Sequence, residues 1–358
     1  MLTNFVFYPI IILILLCGLS NIPALGHQRN KRILGLFNII RFDNVECNDR
    51  EGGGVCFSTG DCINMGGSTN GNCASGFGVC CVFSTNTCGS TVTQNVSFIR
   101  NPGFPSALNS PQTCSFTIQR LNTNICQLRL DFVKLSTAEA SDGTCGISSG
   151  GAVGTGDEIT VTSASGFNPP GIGGLCGDNM DGQHMYVEFG SGNSITWSIV
   201  VGSDTSVNRL WNIKTSQIPC NSNFKAPNGC VQYFTGSSGT ISSYNRAGQR
   251  LPVGSTYQNC IRREDGKCAI EYRSNFFTLG AIATSQVAAC TAAGITIPGA
   301  VGTTTNTFCQ TKFNAINAQT VNGVIRSEEI PFRLGVAVQD AGNANLEGFE
   351  LTYNQIPC

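Results

Sequence analysis

The chain of 358 residues carries little charge, with Asp, Glu, Lys and Arg making up only 12% of it, against about 25% in an ordinary soluble domain. Its formal net charge is -1 and it has no basic block, so counterion release from a phosphate backbone could supply little affinity. Nucleic acid is not an expected partner. Histidine is scarcer still: the two present are His27 and His184, and only His184 lies within the cysteine-bearing part of the chain. A serine protease requires a histidine base beside its nucleophile, and no Gly-Asp-Ser-Gly sequence accompanies His184, which is expected to be a structural or surface residue on a strand. No Gly-x-x-x-x-Gly-Lys phosphate loop occurs, and the absence of any Cys-x-x-Cys pair argues against a zinc site. Asp157 and Glu158 adjoin on an expected strand, so their side chains face opposite ways and cannot share a substrate as paired glycosidase carboxylates do. The chain is therefore not expected to be an enzyme.

Cysteine and glycine are abundant. Of 19 cysteines, Cys17 falls within Phe5 to Leu19, an apolar run too short for a comfortable membrane span and followed by the small residues Ala24-Leu25-Gly26. Residues 1–26 are read as a removed signal peptide, with no membrane span after its removal, and 27–46 as a linker or pro-segment. Within that segment the basic tetrad Arg29-Asn30-Lys31-Arg32 offers a processing site after Arg32. The remaining cysteines are even in number, which in a secreted, extracellular protein implies a full set of disulfides. They fall into three sets of six: 47, 56, 62, 73, 80 and 81; 88, 114, 126, 145, 176 and 220; 230, 260, 268, 290, 309 and 358.

The first set, 47–81, is too small for an apolar core and is expected to be a disulfide-knotted module. The other two sets read as one module written twice, at 88–220 and 230–358. The copies close on Ser216-Gln217-Ile218-Pro219-Cys220 and Asn354-Gln355-Ile356-Pro357-Cys358. Each has an alternating strand at its third cysteine, Cys126 to Phe132 and Cys268 to Tyr272. With the 43 glycines marking turns between short Val/Ile/Thr/Phe runs, the expected fold class is all-β: two antiparallel β-sandwiches in tandem after a small knot.

These residues resemble the CUB family. Its opening is similar to Cys88-Gly89, Val96 to Ile99, the turn Asn101-Pro102-Gly103-Phe104-Pro105, and Cys114 to Ile118. Its later signature looks like Asp157 to Val161, Cys176-Gly177 and Met185 to Phe189. The second copy carries the likeness in Gly239 to Asn245 and Gly348 to Tyr353, and lacks both the Pro-x-aromatic-Pro turn and the Cys-Gly. The resemblance implies a CUB-like jelly roll for each copy. It also implies pairing of Cys88 with Cys114, Cys145 with Cys176 and Cys126 with Cys220, and in the repeat of Cys230 with Cys260, Cys290 with Cys309 and Cys268 with Cys358. The knot, ending in Cys80-Cys81, resembles a short clip domain, which implies Cys47-Cys80, Cys56-Cys73 and Cys62-Cys81.

Many CUB domains hold calcium on carboxylates at one end. The resemblance puts Asp157 in that role, with Glu139 or Asp142 as a second ligand, whereas Ser191-Gly192-Asn193 stands where a further Asp is wanted, and hard cations demand several oxygens. In the second copy Asp340 matches that late position. No other cofactor is implied. Asn95-Val96-Ser97 is an N-glycosylation sequon. Trp197 and Trp211 are expected in the core. The expected function is extracellular binding of proteins or glycans; the alternative is a regulator or cofactor among protease-cascade components, without a protease domain of its own.

Overall fold

The computed structural model describes residues 42, 44–47, 53–139, 144–146, 156–166, 168–169, 171–172, 174–287, 290–303, 305–339 and 346–358. The expected signal peptide, the Arg32 processing site, most of 27–46, and Asp142 and Asp340 lie outside them. Residues Phe42–Cys358 form one compact unit, and its architecture is all-β.

The knot pairs β1 (Glu46–Cys47), β2 (Gly54–Phe57), β3 (Ser68–Cys73) and β4 (Gly78–Val82) in the order β1-β2-β4-β3. A one-turn helix, α1 (Thr59–Asn64), starts where the Ser58 hydroxyl accepts from Asp61 N at 3.1 Å, satisfying a donor the first turn leaves open. Three disulfides, Cys47–Cys80, Cys56–Cys73 and Cys62–Cys81, fill the interior in place of an apolar core. Phe57 and Phe83, ring centroids 5.9 Å apart, add an aromatic contact.

The first β-module comprises β5 (Ser84–Thr85), β6 (Thr91–Val92), β7 (Val96–Arg100), β8 (Thr113–Gln119), β9 (Ile125–Ser136), β10 (Glu158–Ser163), β11 (His184–Glu188), β12 (Ser194–Val200) and β13 (Leu210–Pro219). They form two sheets, β10-β12-β8-β6 and β11-β9-β13-β7-β5. Alternation dictates the inner faces. On β12, Ile195, Trp197 and Ile199 are buried, and on β9 so are Leu128, Leu130 and Phe132. Trp197 meets Trp211 across the sandwich at 5.6 Å between ring centroids, each fully buried.

The second β-module comprises β14 (Cys230–Phe234), β15 (Ser238–Ser242), β16 (Thr256–Ile261), β17 (Lys267–Leu279), β18 (Ser285–Val287), β19 (Ala293–Thr296), β20 (Thr307–Gln310), β21 (Val324–Ser327), β22 (Arg333–Val338) and β23 (Leu346–Pro357). Its pairings repeat those of the first module strand for strand. β14 runs parallel to β16 as β6 does to β8. The antiparallel pairs β16–β22, β22–β19, β15–β23, β23–β17 and β17–β21 answer β8–β12, β12–β10, β7–β13, β13–β9 and β9–β11. Besides β5, which runs parallel to β7 and has no counterpart in the second module, one difference separates them. β20 pairs with β18 along one edge and, along the other, with β19 and, through Gln310 and Leu279, with β17, so two layers become one ten-stranded sheet. Gln310 takes a φ of +73° at that corner, turning the strand between layers.

Disulfides close equivalent places in both modules: Cys88–Cys114 and Cys230–Cys260, Cys126–Cys220 and Cys268–Cys358, Cys145–Cys176 and Cys290–Cys309.

Candidate functional site

The two β-modules are docked along a buried seam. Gln127 on β9 holds the connecting segment with both ends of its amide, donating to Ala226 O and accepting from Ala226 N, each at 2.8 Å. Tyr244 donates to His184 O at 2.8 Å, and the Asn245 amide donates to Cys176 O at 2.7 Å. Thr256 N donates to Gly171 O at 2.6 Å. Tyr186, Ile218, Ala226, Cys230, Tyr233 and Cys260 form an apolar cluster beside these bonds. Paired polar groups surrounding buried rings fix the orientation as an unpaired seam would not.

His184 sits in this seam, 6% exposed. Its Nε2 lies 3.0 Å from both Tyr233 N, from which it can accept, and Tyr233 O, to which it can donate, according to the tautomer. Burial, and after it the Arg129 charge, lower its pKa from 6.5 to about 4, against the pull of Asp131. The residue is a neutral structural tie between modules.

The seam covers only part of the outer face of the β11-β9-β13 sheet. The rest lines a groove of 620 Å³ bordered by Glu46 of the knot, Arg129, Asp131, Val133, Tyr186, Lys214, Ser216 and Ile218 of the first module, and Phe224 of the connecting segment. Register builds its floor: Tyr186, Arg129 and Ser216 lie in one row across the strands, and His184, Asp131 and Lys214 in the next. Arg129 donates to Asp131 Oδ1 through Nε and Nη2 at 2.8 and 2.6 Å, and to the Tyr186 hydroxyl at 3.1 Å. Burial works against the charge of Arg129, yet Asp131 and Tyr186 hold it above an ordinary arginine. Burial raises the Tyr186 phenol, opposed by Arg129. Lys214 Nζ lies 3.7 Å from Glu46. Above these charges stand two apolar side chains open to solvent, Val133 (43% exposed) and Phe224 (58%). A rigid polar floor beneath exposed apolar anchors is the composition of a protein-recognition surface. Arg129 and Asp131 were visible in the sequence as the outward positions of an alternating strand; nothing there marked Lys214 or Phe224 as their neighbours.

Of the residues that resemblance put in a calcium site, Asp142 lies outside the described residues and Asp157 does not fit one. Asp157 is fully buried and its oxygens bond Arg209 Nε at 2.9 Å and Nη2 at 3.1 Å, as well as Ala138 N at 2.7 Å and Gly202 N at 2.8 Å. A guanidinium occupies the side where a cation would bind, so Asp157 is an internal ion-pair partner. Glu139 accepts from Arg250 N at 3.1 Å, and burial raises its pKa. No metal-holding cluster of His, Cys, Asp or Glu occurs among the described residues. In the sequon, Asn95 is half-buried with Oδ1 enclosed, and Ser97 is buried. Among the described residues no helix is long and apolar enough to cross a membrane.

Residues 227–356 match the family model described as the animal CUB domain. This segment is a CUB domain. The likeness was written most fully in the turn motifs of 88–220, whereas the family match falls on the other module, which lacks the Pro-x-aromatic-Pro turn. No curated protein matches the chain. Among solved structures it is similar to the CUB1-EGF-CUB2 domain of human MASP-1/3, with 13% identity over 74% of this chain and 100% of that one, at a TM-score of 0.27. The CUB1-EGF-CUB2 domains of rat MASP-1 give 12% over 76% and 99%, at 0.28. The extracellular region of zebrafish Gpr126/Adgrg6 gives 13% over 75% and 34%, at 0.27.

Proposed function

We propose that this chain is a secreted, non-enzymatic recognition protein in which a clip-like knot and two CUB-type modules are locked together to present the groove around Arg129 to an extracellular protein. The observation carrying the reading is the groove's composite wall: Glu46, Tyr186 and Phe224 come from three parts of the chain and meet only because the modules are docked. Two further features support it: the CUB match at 227–356, and nine disulfides among the described residues, which suit an oxidising compartment. Secretion follows removal of 1–26, with Asn95 as the glycan acceptor. The partner offers an apolar side chain to Phe224 and Val133 and a charged rim to Arg129, Asp131 and Lys214.

The test is crosslinking of the oxidised protein in extracellular fluid, with Phe224→Ser and Val133→Ser together as the comparison. A partner captured by the wild-type protein and lost from the variant supports the reading. Equal capture by both, or turnover of any substrate by the purified protein, overturns it.

A second reading, a regulator in a protease cascade, draws support from the knot, whose three disulfides follow the clip pattern. On this reading a cut after Arg32 activates or releases the protein. N-terminal sequencing decides: Ile33 as first residue supports it, and a start at His27 removes it.

A further inference from the structure

A second hollow lies on the outer face of the second module, where β16, β22 and β19 run side by side. It has a volume of 560 Å³ and is walled by Asn228, Thr256, Gln258, Thr296, Arg333 and Ala337, among others. Alternation on β22 turns Leu334, Val336 and Val338 inward and Arg333, Gly335 and Ala337 outward. Gly335 stands at the centre, opposite Gln258 on one neighbouring strand and Thr296 on the other. Glycine in a strand interior weakens it, and often marks a place where something approaches the backbone closely.

Nothing in the fold demands glycine at 335. Its φ is not positive, and an ideal Cβ there would meet Thr296 Cβ at 3.7 Å, an ordinary contact. The missing side chain serves only to leave the hollow open. On its rim stands the guanidinium of Arg333, and no carboxylate among the described residues forms an ion pair with it. A guanidinium without a carboxylate of its own can take one from outside the chain in a charge-assisted pair.

We infer that this hollow binds the carboxylate of an acidic sugar at the end of a glycan. One guanidinium matches one carboxylate; a sulfated polymer would need a row of cations, and Arg333 is the single charged residue of the wall. The remaining side chains, Asn228, Thr256, Gln258 and Thr296, are neutral amides and hydroxyls suited to a ring bearing hydroxyls. A peptide lying as an added strand is disfavoured, because β16 and β22 are paired on both sides and offer no open edge. The volume falls within the range of small-ligand sites. This site does not depend on the Arg129 groove.

The test is calorimetric titration of the full, oxidised protein with 3′-sialyllactose and methyl glucuronide, with lactose as the neutral probe. Binding of at least one acidic sugar and none of lactose is expected. Arg333→Gln should weaken it by about tenfold or more, the loss of one charge-assisted contact. Gly335→Val, which fills the hollow with a residue that strands favour, should abolish it while the melting temperature holds or rises. Equal binding of lactose, unchanged affinity in both variants, competition by a glutamate-containing peptide at equal concentration, or no binding of either acidic sugar would each overturn the inference.

Discussion

The two β-modules share strand order, pairing and disulfide positions but not the chemistry of their interiors. The first encloses a charge pair: Asp157 and Arg209 are both fully buried, and each is bonded further to backbone groups. In the second, no ion pair among the described residues is buried on both sides. Its interior is filled by rings, as the first is by Trp197 and Trp211, but without a buried charge pair beside them: Phe313 lies 5.2 Å from Phe277 and 5.4 Å from Phe308, and Tyr257 and Tyr272 are buried with phenols pushed well above their usual range by desolvation. One topology is thus satisfied by two interiors, because strand pairing is set by backbone and alternation while the core has only to be filled and paired.

Four measurements would break or sharpen that contrast. The largest effect is expected from Asp157→Ala, which strands the Arg209 charge in the first module and should cost about 4 kcal/mol in urea unfolding. Replacing Asp157 by Leu together with Arg209 by Met should recover most of the loss; failure to recover would mean that the pair's hydrogen bonds to backbone, not its charge, hold that end together.

Next comes the pH dependence of the seam. The folded-state pKa of His184 lies near 4, below its ordinary 6.5, so the unfolded chain binds the proton first as pH falls. Stability from this group is complete above about pH 6.5 and is lost between there and about pH 4, by about 3 kcal/mol. Denaturant midpoints across that window should show the slope in the wild-type protein and a shallower one in His184→Gln.

Gly177→Ala is a smaller disturbance. Gly177 has a φ of +118°, and a Cβ there collides with the Asn245 side chain across the seam. A cost of about 2 kcal/mol is expected, with calorimetry resolving separate transitions for the two modules; a single undivided transition would show that the modules stay coupled without this contact. The smallest effects belong to the exposed pairs Lys134–Asp181 and Arg326–Glu328, one in each module. Lys134→Ala and Arg326→Ala should each shift stability by less than about 0.5 kcal/mol.

Much of the fold was legible in the sequence, for identifiable reasons. Alternation in Cys126 to Phe132 declared a strand with one wet face, and the matched tails ending at Cys220 and Cys358 declared a repeat. The corner strand β20 was not legible, since its four residues Thr307 to Gln310 carry too short a pattern to be assigned to a layer. Turn motifs drew the family likeness toward 88–220, although such punctuation reports single corners, and the family match falls on 227–356. The Asp157 role misread from resemblance turned on Arg209, 52 residues away, and no local spacing announces such a partner. The groove and the hollow were hidden for the same reason: each is assembled by register between distant strands, and Gly335 reads in sequence as one glycine among many.

The amide clasp of Gln127 on Ala226 has an effect that reaches past the seam it closes. A connecting segment gripped at both its amide and its carbonyl cannot act as a swivel, so the Arg129 groove and the Gly335 hollow face outward at a constant spacing. A surface bearing both a matching protein and an acidic glycan at that spacing would be gripped at two points, the second at high effective concentration, and one with the wrong spacing only at one.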